Sequence, residues 1–266
     1  MFDSIAGDYD SLNHILSLDV DKIWRKKALK QIVDAPAPAQ VLDLACGTGD
    51  FSIAIAKALS RSHKRVGTPI EAHVKAPAKA PVEAQVTSTG FVTGDSGRSD
   101  LMTKGHVTGV DLSEGMLAVM REKVAKAGLT EMISIEEGDG ENLRFPDNTF
   151  DRVTIAFGIR NFEDRPKGLR EMLRVLKPGG RLVILELSRP ENKVIRWFYD
   201  LYFLHILPKI GGKVSGDKAA YAYLPTSVAA FPGKKEFSAT MREAGFRAVT
   251  HKAFTLGICR MYTGEK

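Results

Sequence analysis

Cysteine and long apolar runs are scarce in this sequence. Only Cys46 and Cys259 occur among 266 residues, so neither a disulfide framework nor a cysteine-based metal site can be assembled. No run approaches the ~18 apolar residues that a membrane-spanning helix needs, and the first residues lack the pattern of a secretory leader. We therefore expect a cytoplasmic protein that is neither secreted nor embedded in a membrane.

Signals for nucleic-acid binding are also missing, although the formal net charge is +6. The basic character belongs to two segments: residues 61–104 carry seven Lys or Arg against four acidic residues, and residues 189–235 carry eight against three. The remainder is close to neutral, and no zinc-finger spacing or aromatic-rich RNA-binding motif occurs. We therefore expect two basic surface segments and no nucleic-acid partner.

The sequence does contain one strong organising signal, the stretch Q-V-L-D-L-A-C-G-T-G-D-F at residues 40–51. An apolar run breaks into two glycines and continues with apolar residues at helical spacing, which predicts a strand, a tight turn and a helix. Gly47 and Gly49 can adopt positive φ and leave no Cβ between the backbone and a ligand. This turn is therefore predicted to bind a nucleotide-like cofactor.

Acidic side chains beside the turn discriminate between cofactors. Asp43 ends the strand and Asp50 opens the helix, and both would repel the pyrophosphate of a dinucleotide. The third glycine of G-x-G-x-x-G is also replaced, by Ser52. Two carboxylates suit the ammonium and sulfonium of S-adenosylmethionine, which is the predicted cofactor. A nicotinamide-dependent oxidoreductase on the same fold and a tight turn without a ligand are the alternatives.

Residues 61–104 show no sustained period and contain A-P-A-K-A-P and T-S-T-G. We predict that they form a disordered insertion in a single domain spanning residues 1–266. Without those 44 residues, 18 positions separate Gly49 from Asp111, close to the ~20 at which the acid on the second strand of such a fold meets the ribose hydroxyls. Leu112 and Met116, which follow, are placed to cover the adenine.

Strand and helix signals alternate along the rest of the chain, which predicts a parallel, doubly wound sheet. Asp139 and Gly140 follow the third strand, where the adenine amino group would lie and the backbone could approach it. The remaining predicted elements are strands at 106–111, 133–137, 151–157 and 181–187, helices from Ser113 to Gly128, at 165–176 and at 235–244, and a closing hairpin near 247–255 and 258–263.

One segment is apolar nearly all round. Residues 194–207 read V-I-R-W-F-Y-D-L-Y-F-L-H-I-L, which fits a buried helix, a lid over an apolar substrate or a contact with a membrane surface. Arg196 and Asp200 stand four apart and are predicted to pair. The following residues, 211–232, are predicted to be rich in loops.

Several motifs closely resemble those of the ubiquinone/menaquinone biosynthesis C-methyltransferase family. They are F-D-S-I-A with Y-D at 2–10, W-R at 24–25, D-L-A-C-G-T-G-D at 43–50, G-V-D-L-S at 109–113, F-P-D-N-T-F-D at 145–151, F-G-I-R-N at 157–161 and L-K-P-G-G at 176–180. The resemblance implies a class I, Rossmann-like methyltransferase with a seven-stranded, mostly parallel sheet and an antiparallel C-terminal hairpin at its edge. The cofactor contacts that it implies are Thr48, Asp111, Asp139, Gly140 and Ala156.

The implied substrate is a polyprenylated quinol, whose ring carbon becomes nucleophilic when a neighbouring phenol loses its proton. Arg160, with Asn161 orienting it, is placed to stabilise the phenolate or to hold a proton-accepting water; a surface ion pair with Glu163 or Asp164 is the alternative for Arg160. Weaker candidates are Tyr9, His14, Tyr199 and His205.

A prenylated quinol would also require transient contact with the inner face of a membrane. A non-catalytic module that binds quinone or the membrane surface is a second alternative, because it would explain the basic, aromatic segment, although it would not need Asp111 or Asp139. The type of ring, the length of the prenyl tail and the formation of a homodimer stay open.

Overall fold

A seven-stranded sheet organises the chain. The computed structural model describes residues 19–34, 40–66, 105–202 and 218–266. The helices are α1 (Val20–Ile32), α2 (Asp50–Val66), α3 (Glu114–Lys126), α4 (Arg165–Val175), α5 (Lys193–Leu201), α6 (Lys218–Ala230) and α7 (Lys234–Glu243). The strands are β1 (Gln40–Leu44), β2 (His106–Asp111), β3 (Ile133–Glu137), β4 (Phe150–Ala156), β5 (Leu176–Leu187), β6 (Arg247–Phe254) and β7 (Cys259–Glu265), with short 3₁₀ turns at Ile159–Asn161 and Thr255–Gly257.

The strand order is β3-β2-β1-β4-β5-β7-β6. The first five strands in that order pair in parallel, and β7 pairs antiparallel with both β5 and β6. The predicted parallel sheet with an antiparallel hairpin edge is therefore confirmed. Because the chain leaves β1 for β2 on one side and returns to β4 on the other, the strand order reverses at β1, where such sheets bind their ligands.

Both faces of the sheet are covered, which explains the apolar character of β1. Leu42 and Leu44 belong to one buried cluster together with residues of α4 and α7. Val41 belongs to the other cluster, which α1, α2 and α3 complete. Since side chains alternate along a strand, Asp43 shares the second face with Val41 and lies below α1 and α2.

Two predicted boundaries were wrong. Helix α2 continues to Val66 and so includes the first six residues of the predicted insertion, 61–66, because the apolar period stops at Leu59 while polar residues still form helix. Strand β5 begins at Leu176 rather than at position 181. The K-P-G-G sequence is an interruption within that strand, since Phe150 pairs with Leu176 and Arg152 with Arg181.

The loop-rich prediction for residues 211–232 is also wrong where it can be compared, because residues 218–230 form α6. Pro225 lies inside this helix and concealed it, since proline normally ends a helix. Several predictions fall on residues outside the described ranges: the motif at 2–10 with Tyr9, the candidates His14 and His205, and residues 67–104 of the proposed insertion.

Helix α5 buries one of its sides and exposes apolar side chains on another, in keeping with its apolar sequence. Tyr199 is buried, whereas Val194, Trp197, Phe198 and Leu201 are exposed. The predicted pair of Arg196 with Asp200 is wrong: Asp200 binds Arg189 at 2.6 Å, and Nε of Arg196 donates to the carbonyl of Pro190 at 2.8 Å. Arg189 and Pro190, which precede α5 in the chain, supply these partners. None of the helices in the described ranges has the length and apolar character to cross a bilayer.

Candidate active site

The turn between β1 and α2 has the conformation that its glycines predict. Gly47 and Gly49 have φ of 55° and 83°, in the left-handed region that favours glycine. A Cβ on Gly49 would also lie 2.4 Å from Cγ of Met120, so this position has no space for a larger residue. The backbone amide of Gly47 donates to Oδ2 of Asp111 at 2.8 Å, which fastens the turn to the end of β2.

Asp111 therefore has a structural role besides the one predicted for it. Its other oxygen, Oδ1, accepts from the backbone amide of Ser113 at 2.9 Å. Ser113 itself caps α3 by accepting from the amide of Met116, so Asp111 is not the helix cap. Asp111 thus joins the glycine turn to the start of α3. Its pairing with ribose hydroxyls stays a prediction.

The residues predicted to surround the adenine lie at the carboxyl ends of β2 and β3. Leu112 is exposed, whereas Met116 is 2% exposed, so only Leu112 presents its side chain at the surface. Asp139 is exposed. Gly140 is required for a reason that the sequence did not reveal, because a Cβ there would lie 2.5 Å from the ring of Phe162. The contacts of all four with a cofactor stay predictions.

A cavity of about 510 Å³ lies beside the glycine turn. Five of the predicted site residues line it: Asp43, Gly47, Thr48, Ala156 and Arg160. Much of the remaining wall is apolar, from residues such as Trp24, Phe51, Phe157, Leu187, Ile195 and Phe198. The wall does not include Gly49, Asp111, Leu112, Met116, Asp139, Gly140 or Asn161. The structure thus divides the predicted site between this cavity and the neighbouring strand ends.

Asp43 differs from an ordinary carboxylate because it is 1% exposed. Burial raises its pKa to about 7, while a hydrogen bond from Ser52 and the charge of Arg25 act in the opposite direction. Ser52 Oγ donates to Asp43 Oδ2 at 2.6 Å. The serine that replaces the third glycine is thus the partner of Asp43. Near neutral pH, this carboxyl group is divided between its protonated and ionised forms.

Asp50 is a weaker argument for a cationic ligand than the sequence indicated. It pairs with Lys123, and Nη1 of Arg25 lies 3.9 Å from its Oδ2. Its charge is therefore already shared with two cations. Lys123 also reaches Oγ1 of Thr48 at 3.4 Å, which ties the buried hydroxyl of the turn to α3.

Arg160 is neither a surface residue nor paired with Glu163 or Asp164, and that alternative is wrong. It is 8% exposed, and its Nη1 donates to Oε1 of Glu186 at 2.8 Å. The same nitrogen donates to the carbonyl of Phe157. Phe157 has a φ of 63°, which is unusual for a residue with a bulky side chain. The residue directly after β4 thus has a left-handed backbone, and its carbonyl accepts a hydrogen bond from Arg160.

Asn161 and Tyr199 lie in different environments. Asn161 Oδ1 accepts a hydrogen bond from the hydroxyl of Tyr223 at 3.0 Å, which connects the 3₁₀ turn to α6. Tyr199 lines the cavity, and burial raises the pKa of its phenol well above the usual range. Tyr199 is therefore protonated at neutral pH and does not serve as a ready base.

Sequence reasoning missed Glu186 and Arg25. Glu186 is 0% exposed and also accepts from the backbone amides of Arg160 at 3.1 Å and Leu187 at 2.8 Å. A single acid in the apolar strand V-I-L-E-L was a usable signal, because a buried charge needs a partner. Arg25 was noticed only as part of a W-R motif, and nothing in its local sequence places it beside a turn that begins some twenty residues later.

The sheet order, the glycine turn at its switch point and the adjoining cavity define the fold of the class I methyltransferases. The crystal structure of a SAM dependent methyltransferase from Aquifex aeolicus aligns with 90% of this chain and 88% of its own, with a TM-score of 0.53 and 20% identity. At that identity the likeness concerns the fold alone.

Sequence comparison identifies the family. The chain is 44% identical over 266 residues to the ubiquinone/menaquinone biosynthesis C-methyltransferase UbiE of Geobacter sulfurreducens, covering 100% of this chain and 87% of the relative. It is 41% identical to the demethylmenaquinone methyltransferase of Deinococcus radiodurans, covering 100% and 91%. The profile of the ubiE/COQ5 methyltransferase family matches residues 1–266. The chain belongs to that family.

The comparisons confirm the predicted family, the methyltransferase class and S-adenosylmethionine as the cofactor. They support neither the nicotinamide-dependent oxidoreductase nor the non-catalytic module.

Proposed function

We propose that this enzyme methylates a ring carbon of a polyprenylated quinol in menaquinone or ubiquinone biosynthesis. The names of the relatives above describe that pathway. The observation that carries the proposal is the composition of the cavity. Gly47 and Thr48 of the cofactor turn form part of its wall, and Leu187, Ile195 and Phe198 form an apolar part. One chamber thus adjoins the methyl donor and accommodates an apolar ring.

The residues at the turn fit the cofactor. S-adenosylmethionine supplies a methyl group that its positive sulfonium already activates. The cavity wall beside the turn contains Asp21, Asp43, Asp50 and Arg25, a mixture of charges that matches an amino-acid group with both an ammonium and a carboxylate. We assign the adenosine to the neighbouring strand ends, where Asp111 and Asp139 follow β2 and β3.

The aromatic wall would exclude water and align the ring. The rings of Trp24 and Phe157 lie 6.1 Å apart, and the indole Nε1 of Trp24 donates to Oγ1 of Thr255 at 2.8 Å. This hydrogen bond fixes α1 to the turn between β6 and β7, both of which border the cavity. Positioning of the ring and removal of water are the main requirements of a reaction whose donor is already activated.

Arg160 is the group that we assign to the phenolate. An arginine stays protonated at any physiological pH, so it stabilises an oxyanion and does not accept the proton. Glu186 and the carbonyl of Phe157 hold Nη1 in the cavity wall. Tyr199 is itself protonated and does not accept the phenol proton, which we assign to a water molecule held by Arg160.

The rim of the cavity favours peripheral contact with a membrane, from which a prenyl tail could enter. Phe198 and Leu256 line the cavity and are 60% and 73% exposed. Trp197, which is 61% exposed, stacks edge to face on Phe198 with ring centroids 4.9 Å apart. Interfacial helices present aromatic side chains in this way.

The test uses methyl-labelled S-adenosylmethionine and a demethylnaphthoquinone with a short prenyl chain, offered in its reduced and its oxidised form. We expect the label on a ring carbon of the reduced form only, because the oxidised ring has no phenol to deprotonate. Label on oxygen, or equal labelling of both forms, would contradict the proposal. Parallel titrations with S-adenosylhomocysteine and NAD should give binding of the first ligand alone.

A further inference from the structure

Arg25 of α1 lines the cavity beside the cofactor turn and has unused hydrogen-bonding capacity. Its side chain is 19% exposed, and Nε is buried without a hydrogen-bond partner. The nearest carboxylate oxygens lie 3.6 Å from Nε, on Asp21, and 3.9 Å from Nη1, on Asp50. These distances permit electrostatic attraction but exceed those of hydrogen bonds.

Other arginines of the protein are bonded more closely. Arg174 donates to both oxygens of Glu171 at 2.8 and 2.9 Å, to Asp147 at 2.8 Å and to two backbone carbonyls. Arg160 donates to Glu186 at 2.8 Å. Arg25 is held instead by charge and by the ring of Phe157, whose centroid lies 5.6 Å from its Cζ. Nε of Arg152, Arg160 and Arg165 is likewise buried with no hydrogen bond, but Arg152 and Arg165 lie outside the cavity wall and Arg160 pairs with Glu186 through Nη1. A buried donor without an acceptor is costly, so the position of Arg25 in the cavity wall indicates that a ligand supplies the missing acceptor.

A carboxylate fits this place best. It is planar and has two oxygens, which match the parallel N–H groups of a guanidinium. Among the described residues of the cavity wall, Arg25 and Arg160 are the cations, and Arg160 is already bonded to Glu186. The acids around Arg25 do not exclude an anion, because Lys123 compensates Asp50 and Arg25 itself compensates Asp21.

We propose that Arg25 binds the carboxylate of the methionine portion of S-adenosylmethionine. This inference deepens the proposed function and rests on its cofactor. It is tested with S-adenosylhomocysteine in the absence of a quinol, so that failure of methyl transfer to a quinol would leave it standing.

Calorimetry should compare S-adenosylhomocysteine with its decarboxylated analogue, in which the carboxylate is replaced by hydrogen. The wild-type protein should bind S-adenosylhomocysteine roughly 10- to 100-fold more tightly, the usual range for a charged hydrogen bond. Arg25→Met should bring this ratio to about 1 by weakening the first ligand only. Arg25→Lys should give an intermediate ratio, since lysine keeps the charge and lacks the fork.

Arg121→Met is the matched control, because Arg121 is exposed, pairs with Glu114 and does not line the cavity. It should preserve the wild-type ratio. Equal affinities of the wild-type protein for the two ligands would overturn the proposal, even if the methionine variant fails to fold. An Arg25→Met variant that folds and keeps the wild-type ratio would also overturn it.

Discussion

Glu186 Oε1 lies 2.8 Å from Nη1 of Arg160, and their side chains are 0% and 7% exposed. The acid comes from the carboxyl end of β5 and the arginine from the 3₁₀ turn after β4. Removing one partner of such a buried pair leaves the other charge uncompensated. Glu186 is therefore a positioning residue for Arg160, and its effect on the reaction should depend on the arginine.

Glu186→Gln should lower kcat roughly 10- to 100-fold and leave the affinity for S-adenosylhomocysteine within about 2-fold, because the misplaced guanidinium stabilises the phenolate less well. Single-turnover kinetics and calorimetry separate the two quantities. Glu171→Gln is a suitable control, since it weakens the Arg174 network outside the cavity wall. Arg160→Lys should also lower kcat, and the double variant should lose less than the sum of the single losses. If the losses of kcat in the two single variants add fully in the double variant, Glu186 does not act through Arg160.

Asp43 should make stability depend on pH. Its folded pKa of about 7 lies above the ~3.9 of an unfolded aspartate, so the folded state retains a proton that the unfolded state has released. The stability contributed by this group is present below about pH 4 and is lost as pH rises to about 7, at no more than about 1.4 kcal/mol per pH unit. Denaturant unfolding at several pH values should show this slope in the wild-type protein and not in Asp43→Asn. Parallel curves for the two proteins would contradict it.

Asp111→Ala should weaken the binding of S-adenosylhomocysteine by roughly 10- to 100-fold, the equivalent of one charged hydrogen bond. The affinity for adenosine, which has the ribose but lacks the amino-acid group, should fall by a similar factor in the variant. Asp147→Ala is the control because this exposed acid pairs with Arg174 and does not line the cavity. If adenosine binds the variant as well as it binds the wild-type protein, Asp111 serves the turn alone and does not contact the ribose.

Trp197→Glu should abolish sedimentation with anionic vesicles, because it places a negative charge on the exposed apolar face of α5. Trp197 does not line the cavity, so affinity for S-adenosylhomocysteine should be unchanged. Ile23→Glu tests for a general effect of charge, since Ile23 is also exposed, at 54%, but belongs to α1. Equal loss in both variants, or wild-type protein that stays in the supernatant at low salt, would argue against contact through α5.

Deletion of residues 67–104 with a short linker should leave the fold and cofactor binding intact. The described pairing of β1 with β2 starts at Gln40 and His106 and is complete without the deleted residues. The composition of the segment also provides little apolar surface to offset the entropy of ordering it. A shortened chain that expresses only as aggregate, while the full chain stays in solution, would show that the segment stabilises the fold.

The sequence by itself determined the elements whose causes are local. The apolar run of β1, the two glycines after it and the apolar period of α2 each act within a few residues, so the strand, turn and helix could be predicted together. The alternation of strands and helices gave the parallel sheet for the same reason. The acids at the ends of β1 and β2 were found because their positions relative to the turn follow from the topology.

Only the tertiary structure decided the electrostatics of the site. Glu186 meets Arg160 because β4 and β5 are neighbours in the sheet, and Arg25 lies beside the turn because α1 packs across α2. The pKa of Asp43 depends on its burial beneath these helices. Charges interact over distances in space whatever their separation in sequence, and the partners of a buried charge are therefore known only once the chain has folded.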